Sequence, residues 1–241
     1  ARSFPNQSGA VIGTLAPLFT PVFVAFFAKN QIDELVKSVK KSINTLAVLL
    51  FVPICGFIVF STEFYTLWQS SLSAEEIRII ATLSTVTLLQ SYFNATTASM
   101  AQLSVVTNKL KIPVLVSLGC GVFNFALVML LIHVTSLGVY AIVLSSTVIM
   151  VARYVIFNSV YAAWCLGVPK KTFIWQAVKT WLSIPVLLAI MWGIKCLLPV
   201  STWGGLILDA AICAAICYLI MALLYSRQPI VRLFQKIFHK S

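Results

Sequence analysis

Few side chains of this sequence can do polar chemistry, and one of them stands where a charge is least welcome. Arg153 lies in "VARYVIFNSV", inside a hydrophobic run that extends from about Gly138 to about Ala163. A guanidinium at that depth costs about 2.5 to 3.5 kcal/mol on insertion scales, so it requires a partner, a wet cavity or a task. Upstream, Thr87, Gln90, Asn94 and Thr97 project within about 80° of one another at about 100° per residue of α-helix. Such a stripe faces away from lipid, and either lines a cavity or bonds to a neighbouring helix. Asn124 and Asn158 are single amides in apolar surroundings. Asn124 joins Arg153, Gln90, Asn94, Thr87 and Thr97 as a cavity candidate, with bonding between helices as the simpler role.

Other polar residues point to structure. Lys195 and Asp209 lie within a few residues of the same ends of adjacent apolar segments, and His133 falls at a segment end. Snorkelling or pairing accounts for the first two. There is no paired-carboxylate site, glycine-rich phosphate loop, Ser-His-Asp arrangement or metal-ligand cluster in the sequence, so an enzyme is not expected. Cys55, Cys120, Cys165, Cys196, Cys213 and Cys217 are scattered singly through apolar stretches. They are expected to be small buried hydrophobes, free of disulfides.

The elements that must position these residues follow from composition. The chain of 241 residues is 60% hydrophobic and 10% charged, with a mean hydropathy of +0.99. That leaves too little polar surface to cover a soluble globule, and an all-α, polytopic transmembrane helix bundle is expected. Seven apolar segments are long enough for a bilayer core of about 30 Å. They run roughly over residues 9–28, 43–61, 79–104, 112–133, 138–163, 177–198 and 204–225. Residues 1–225 form the membrane lobe and 226–241 a basic tail. Pro17, Pro21, Pro53, Pro113, Gly119 and Gly121 fall inside segments, where neighbouring helices can satisfy the freed backbone groups.

Thirteen of the 17 Lys and Arg residues follow the odd-numbered segments, among them Lys29, Lys37, Lys40, Lys41, Lys109, Lys111, Lys170, Lys171 and Lys179. The opposite face carries Arg2, Arg78, Glu63, Glu75 and Glu76. The positive-inside rule then puts the amino end outside and the carboxyl end in the cytoplasm. Most of the net charge of +11 is thus a topology signal, and the dispersed lysines do not describe a nucleic-acid surface. Two basic-side stretches are amphipathic. In "QIDELVKSVKKSI", Ile32, Leu35, Val36, Val39 and Ile43 share a helical face, which is expected to lie along the membrane surface and bend into the second segment. The tail "PIVRLFQKIFHKS" repeats the pattern with Arg232, Lys236 and Lys240 opposite apolar residues, the composition of an interfacial helix on anionic lipid. The first residue is Ala1 and no signal peptide is evident in "ARSFPNQSGA", so the chain reads as a fragment or a trimmed protein.

Four spaced stretches carry a family resemblance: "LAPLFTPVFVAFFAKNQIDELVKSVKKS", "EFYTLWQ", "VVTNKLKIPVLVSLGCGVFN" and "ARYVIFNSVYAAWCLGVPKKTF". Together they resemble the carboxyl-terminal half of Wzx-type polysaccharide flippases, in the superfamily that includes peptidoglycan-precursor flippases and MATE efflux transporters. The resemblance extends from about residue 9 to 225 and rests on family-typical patterns rather than invariant signatures. It implies a lobe equivalent to helices eight to fourteen of a 14-helix protein, in which two lobes surround a cavity that opens alternately to each side. The implied cargo is an undecaprenyl-pyrophosphate-linked oligosaccharide for O-antigen, capsule or teichoic acid synthesis, moved across a bacterial or archaeal cytoplasmic membrane. Implied partners are the lipid-linked oligosaccharide, membrane lipid, a polysaccharide polymerase and glycosyltransferases. No bound cofactor is implied, although coupling to a proton or sodium gradient is compatible with the fold.

The resemblance gives Arg153 a task. A guanidinium about 15 Å from the cytoplasmic end of its helix, with Ser146 on the same face, supplies charge and paired hydrogen bonds to pyrophosphate oxygens. Arg153, Gln90 and Asn94 are then expected to reach water in a cavity facing the missing lobe. A MATE-type drug or cation antiporter is the alternative on the same fold, and would use a membrane-embedded carboxylate, for which only Asp209 qualifies, at shallow depth. A seven-helix receptor is a third reading. It fits less well, since "ARY" at 152–154 falls on the fifth segment and the seventh has no lysine for a retinal Schiff base.

Overall fold

The computed structural model describes residues 3–197 and 202–225, and every regular element among them is helical. The amphipathic tail and the junction before the last helix lie outside the described residues. The chain opens with α1 (Ser3–Leu15), tightens into a 3-10 turn over Ala16–Phe19, and continues as α2 (Thr20–Ala28). Pro17 and Pro21 stand at this step, where each removes a backbone donor that a regular helix would need. Then come α3 (Ile32–Trp68), α4 (Ala74–Val106), α5 (Lys111–Val134) and α6 (Val139–Ala152). A π-helical stretch, Arg153–Asn158, joins α6 to α7 (Ser159–Leu166), and α8 (Lys171–Trp181), α9 (Ser183–Leu197) and α10 (Trp203–Tyr225) complete the bundle. The α8–α9 break falls at Leu182, just before Pro185.

Among the described residues six stretches are long and apolar enough to cross a membrane: Asn6–Ala28, Ile32–Trp68, Lys111–Val134, Val139–Leu166, Lys171–Leu197 and Trp203–Tyr225. The expected third span falls in α4, which has 33 residues but falls short in apolarity. Its position explains its composition. α4 lies at the centre of the bundle, against α1, α2, α3, α6, the π-helical stretch, α7 and α8. Small polar residues such as Ser84, Thr96, Thr97 and Ser99 are fully buried there, and close helix approach in membranes favours small residues of this kind.

The structure corrects one expected element. The "QIDELVKSVKKSI" face does not lie on the membrane surface and bend, because it is the first three turns of α3, which runs unbroken for 37 residues, or about 55 Å. Leu35, Val39 and Ile43 are fully buried in a cluster with Phe23, Met100, Leu103, Ala162, Ala163 and Phe173. The apolar face was correctly located, but protein covers it instead of lipid. This cluster joins α2, α3, α4, α7 and α8 at the lysine-bearing end of the bundle. A larger cluster, including Phe51, Phe60, Tyr65, Leu88, Tyr92, Met191 and Cys213, joins α1, α3, α4, α9 and α10.

Helix ends are chemically specified. Ser73 and Glu76 form a capping box at the start of α4: the Ser73 amide donates to Glu76 Oε2 at 2.9 Å and the Glu76 amide donates to Ser73 Oγ at 3.3 Å. At the basic end, α2, α4 and α7 stop in the same way. Asn30, Asn108 and Gly167 adopt positive φ angles of 55°, 53° and 68°. Each is followed by a residue whose amide reaches back to the helix, Gln31 to Phe26 O, Lys109 to Ser104 O and Val168 to Ala163 O. This is the Schellman arrangement, which asparagine and glycine tolerate best.

Candidate functional site

Arg153 opens the π-helical stretch Arg153–Asn158. A π turn holds an extra residue relative to an α turn, and such turns often mark functional positions. The side chain points to a cavity of about 300 Å³ bounded by α1, α4, the π-helical stretch and α7, and lined by Asn94, Tyr154, Phe157, Asn158 and Tyr161 among others. Gly9, Gly13, Ala16, Ala98 and Ala101 keep the walls thin. Arg153 Nε is buried without a hydrogen-bond partner. The ion pairs among the described residues are Lys37–Glu34 and Lys195–Glu63, so no carboxylate neutralises this arginine there.

A second cavity of about 280 Å³ adjoins the first, sharing Gly9, Asn94 and Tyr154 with it. Its other lining residues are Asn6, Thr87, Gln90 and Ser91. The structure therefore places Arg153 and Asn94 in one cavity, and Thr87, Gln90 and Asn94 in its neighbour. Two candidates are not brought to either. Thr97 stands on the expected face of α4 but is fully buried, with its hydroxyl donating to Phe93 O at 3.1 Å. The helix face continues toward Arg153 through Ala98 and Ala101 instead. Asn124 lies outside both cavities, on α5, which leans on α6, and its Oδ1 is buried without a partner. Thr97 and Asn124 therefore line neither of these two cavities.

Polar residues of α4 other than Thr87, Gln90, Asn94 and Thr97 bond to neighbouring helices. Ser84 Oγ meets Tyr65 Oη at 2.7 Å, Ser91 accepts from Ser8 at 2.9 Å, Thr96 accepts from Trp181 Nε1 at 3.0 Å and Gln102 accepts from Thr20 at 3.3 Å. These bonds knit helices together. Gln90 and Asn94 make no hydrogen bond to protein among the described residues, and their amides face the second cavity.

Asn6, Tyr154 and Tyr161 are lining residues that sequence reasoning missed, and Asn158, noted there as a single amide, joins them, since the four come together only through the packing of α1 on α4 and the π turn. One signal was present: Phe157, Tyr161 and Trp164 recur at helical spacing. Their rings stack successively with centroids 5.1 and 5.3 Å apart, and Lys109 Nζ lies 4.4 Å from the Trp164 ring centroid. Lys109 Nζ also donates to Cys165 O at 3.2 Å, and Tyr161 Oη donates to Lys109 O at 2.8 Å. The α4–α5 turn is thereby tied to the carboxyl end of α7, where the helix leaves carbonyls without intrahelical partners.

Lys195 is paired, as expected of it, and its partner is Glu63. The ammonium lies 2.8 Å from Glu63 Oε1 and donates to Val59 O at 2.7 Å. Asp209 is not part of this pair. It is 2% exposed, its Oδ2 has no partner, and the contacts Trp203–Phe64 and Tyr218–Leu49 set the antiparallel register of α10 on α3 so that Asp209 falls level with Ile58. All six cysteines are free; Cys55, Cys165, Cys213 and Cys217 are buried, while Cys120 is half-buried and Cys196 is exposed, contrary to expectation. Among the described residues no group of three or more His, Cys, Asp and Glu side chains could hold a metal ion.

A bundle of long apolar helices around a polar central helix defines a multi-pass α-helical membrane protein. The chain is 22% identical to the uncharacterized membrane protein EpsK of Bacillus subtilis (strain 168), over 97% of this chain and 46% of that protein. It therefore spans less than half the length of this relative. No family profile and no solved structure matches the chain.

Proposed function

We propose that this chain forms a lobe of a transporter that moves lipid-linked oligosaccharide across the cytoplasmic membrane by alternating access, for the synthesis of surface polysaccharide. One observation carries the reading: a guanidinium with a buried, unpartnered Nε, placed at membrane depth beside a cavity lined by amides and hydroxyls. An uncompensated cation in such a place is stable when water or an anionic ligand reaches it, and the diphosphate linkage of a polyprenyl-linked glycan is such an anion. The spaced resemblance to Wzx-type flippases supports the same cargo class, and similarity to a bacterial membrane protein supports the membrane setting. In this reading the lysine-bearing end is cytoplasmic, and the partners are the lipid-linked oligosaccharide, a polysaccharide polymerase and glycosyltransferases.

The test uses the full natural protein containing this chain. Arg153→Ala is expected to abolish or sharply reduce surface glycan at matched expression, while Arg153→Lys recovers part of it, because lysine keeps the charge but not the planar fork. Cysteines placed at 90, 94 and 153 in a cysteine-free background are expected to react with a membrane-impermeant thiol reagent. Normal export by Arg153→Ala, or three inert positions from both sides, overturns the cargo site. Asp209 favours a second reading, a MATE-type cation-coupled antiporter, since a buried carboxylate is what ion coupling at membrane depth employs. Loss of drug efflux, with surface glycan intact, in Asp209→Asn would select that reading.

A further inference from the structure

The two adjoining cavities differ in a way that bears on what each can bind. In the Arg153 cavity the charged group is a guanidinium, which offers donors only. It matches a ligand that offers acceptors only, and phosphate oxygens are of that kind. The Gln90 cavity is lined by Asn6, Thr87, Gln90, Ser91, Asn94 and Tyr154, with Gly9, and carries no charged residue. Amides and hydroxyls both donate and accept. The side chains of Gln90 and Asn94 spend neither capacity on protein partners among the described residues. A phosphate can use only the NH2 ends of the Gln90 and Asn94 amides and leaves their carbonyl oxygens without a donor, whereas a neutral polyol, whose hydroxyls donate and accept in turn, satisfies both ends of each amide.

Position orders the two sites along the bundle. The Arg153 cavity extends to Ser104, Pro113 and Tyr161, toward the lysine-bearing end, whereas Thr87 and Gln90 lie nearer the opposite end of α4. Asn94, Gly9 and Tyr154 line both, so one ligand can occupy the two at once. We infer that the cleft divides its cargo, the Arg153 cavity holding the anionic diphosphate and the Gln90 cavity holding the neutral sugar joined to it. This rests on the proposed function and adds to it a glycan subsite made of Gln90, Asn94 and their neighbours. The glycan then lies deeper from the basic end than the diphosphate, and the lipid tail trails behind. Arg153 reads the linkage common to all such lipids, and Gln90 and Asn94 read the sugar.

The experiment measures binding of the full natural protein, in lipid nanodiscs, to bare polyprenyl diphosphate and to polyprenyl diphosphate carrying one glucose, galactose or N-acetylglucosamine. The wild type is expected to bind at least one sugar-bearing form more tightly than the bare one. The double variant Gln90→Ala with Asn94→Ala is expected to lose that preference, by about tenfold for two neutral hydrogen bonds, over and above any loss for the bare diphosphate, whose cavity Asn94 also lines. Arg153→Ala is expected to weaken all forms in parallel. The near-isosteric pair Gln90→Met with Asn94→Leu repeats the measurement with the volume kept, so that a loss from collapse of the cavity is separated from a loss of hydrogen bonds. A sugar preference that survives both double variants, an equal loss for bare and sugar-bearing forms, or a wild type with no preference overturns the division while leaving the transporter reading in place. A wild type that binds none of these lipids overturns the transporter reading, and the division with it.

Discussion

At the residue scale, polar groups in this bundle divide into those that are satisfied by the protein and those that wait on something else. Lys195 belongs to the first kind: it is bound by Glu63 and the Val59 carbonyl, with both charged side chains 22% exposed. Such a pair stands between a screened surface bridge and a dry buried one. Lys195→Met is expected to destabilise the protein by about 1–3 kcal/mol, because it strands the Glu63 carboxylate. Adding Glu63→Gln should restore most of that loss, and a double-mutant cycle of thermal unfolding in detergent checks it. Glu76 is satisfied at a helix start: the Ser73 amide, and then the Ser73 hydroxyl, hold its carboxyl below the usual carboxylate range. A lowered value in the folded state means that this contribution is complete above the ordinary carboxylate range and is lost as the pH falls through the lowered value. Protection of the amides at residues 74–77, taken relative to their intrinsic exchange rates, should therefore fall below about pH 4, and the acid step should vanish in Glu76→Gln. Arg153 and Asp209 are of the other kind, each with a buried atom left unpartnered.

At the element scale, what could be read in the sequence was what repeats along it. The helices were legible from apolar runs, and the buried face of Leu35, Val39 and Ile43 from its spacing. The cover over that face was not legible, because charges such as Asp33, Glu34 and Lys40 on the other side give a bundle helix the same pattern as one lying on lipid. Arg153 stood out because its desolvation demands an explanation. Asn6 and Tyr154 did not, and Asn158 stood out only as a single amide, since nothing local distinguishes a lining amide from one bonded between helices. Thr97 was misplaced for the same reason: a helical wheel gives direction but not what stands there. The Schellman ends make a further test. Asn108→Ala forces alanine into a left-handed conformation and is expected to lower stability by about 1 kcal/mol, whereas Asn108→Gly should be neutral or slightly stabilising. Thermal unfolding of the two variants side by side decides it.

At the scale of the whole molecule, the central helix is the one whose crossing is least announced by hydropathy. If α4 spans the membrane, single cysteines at Asn30, Asn108 and Lys170 should label from one side, and those at Ser71 and Ser136 from the other. Labelling of Asn108 from the same side as Ser71 would mean that α4 does not cross. Within that framework the π-helical stretch from Arg153 to Asn158 has an evolutionary meaning. A π turn holds one residue more than an α turn, so a helix can absorb a one-residue insertion in this form without breaking. Alignments with relatives that lack the turn should open a single-residue gap between 153 and 158, on whichever side of it their arginine falls. Removing one residue from this chain in that window, Val155 for example, should close the helix into regular α form. Every side chain beyond it would then turn by about 100° relative to Arg153, and the aromatic stack and the arginine would no longer share one cavity.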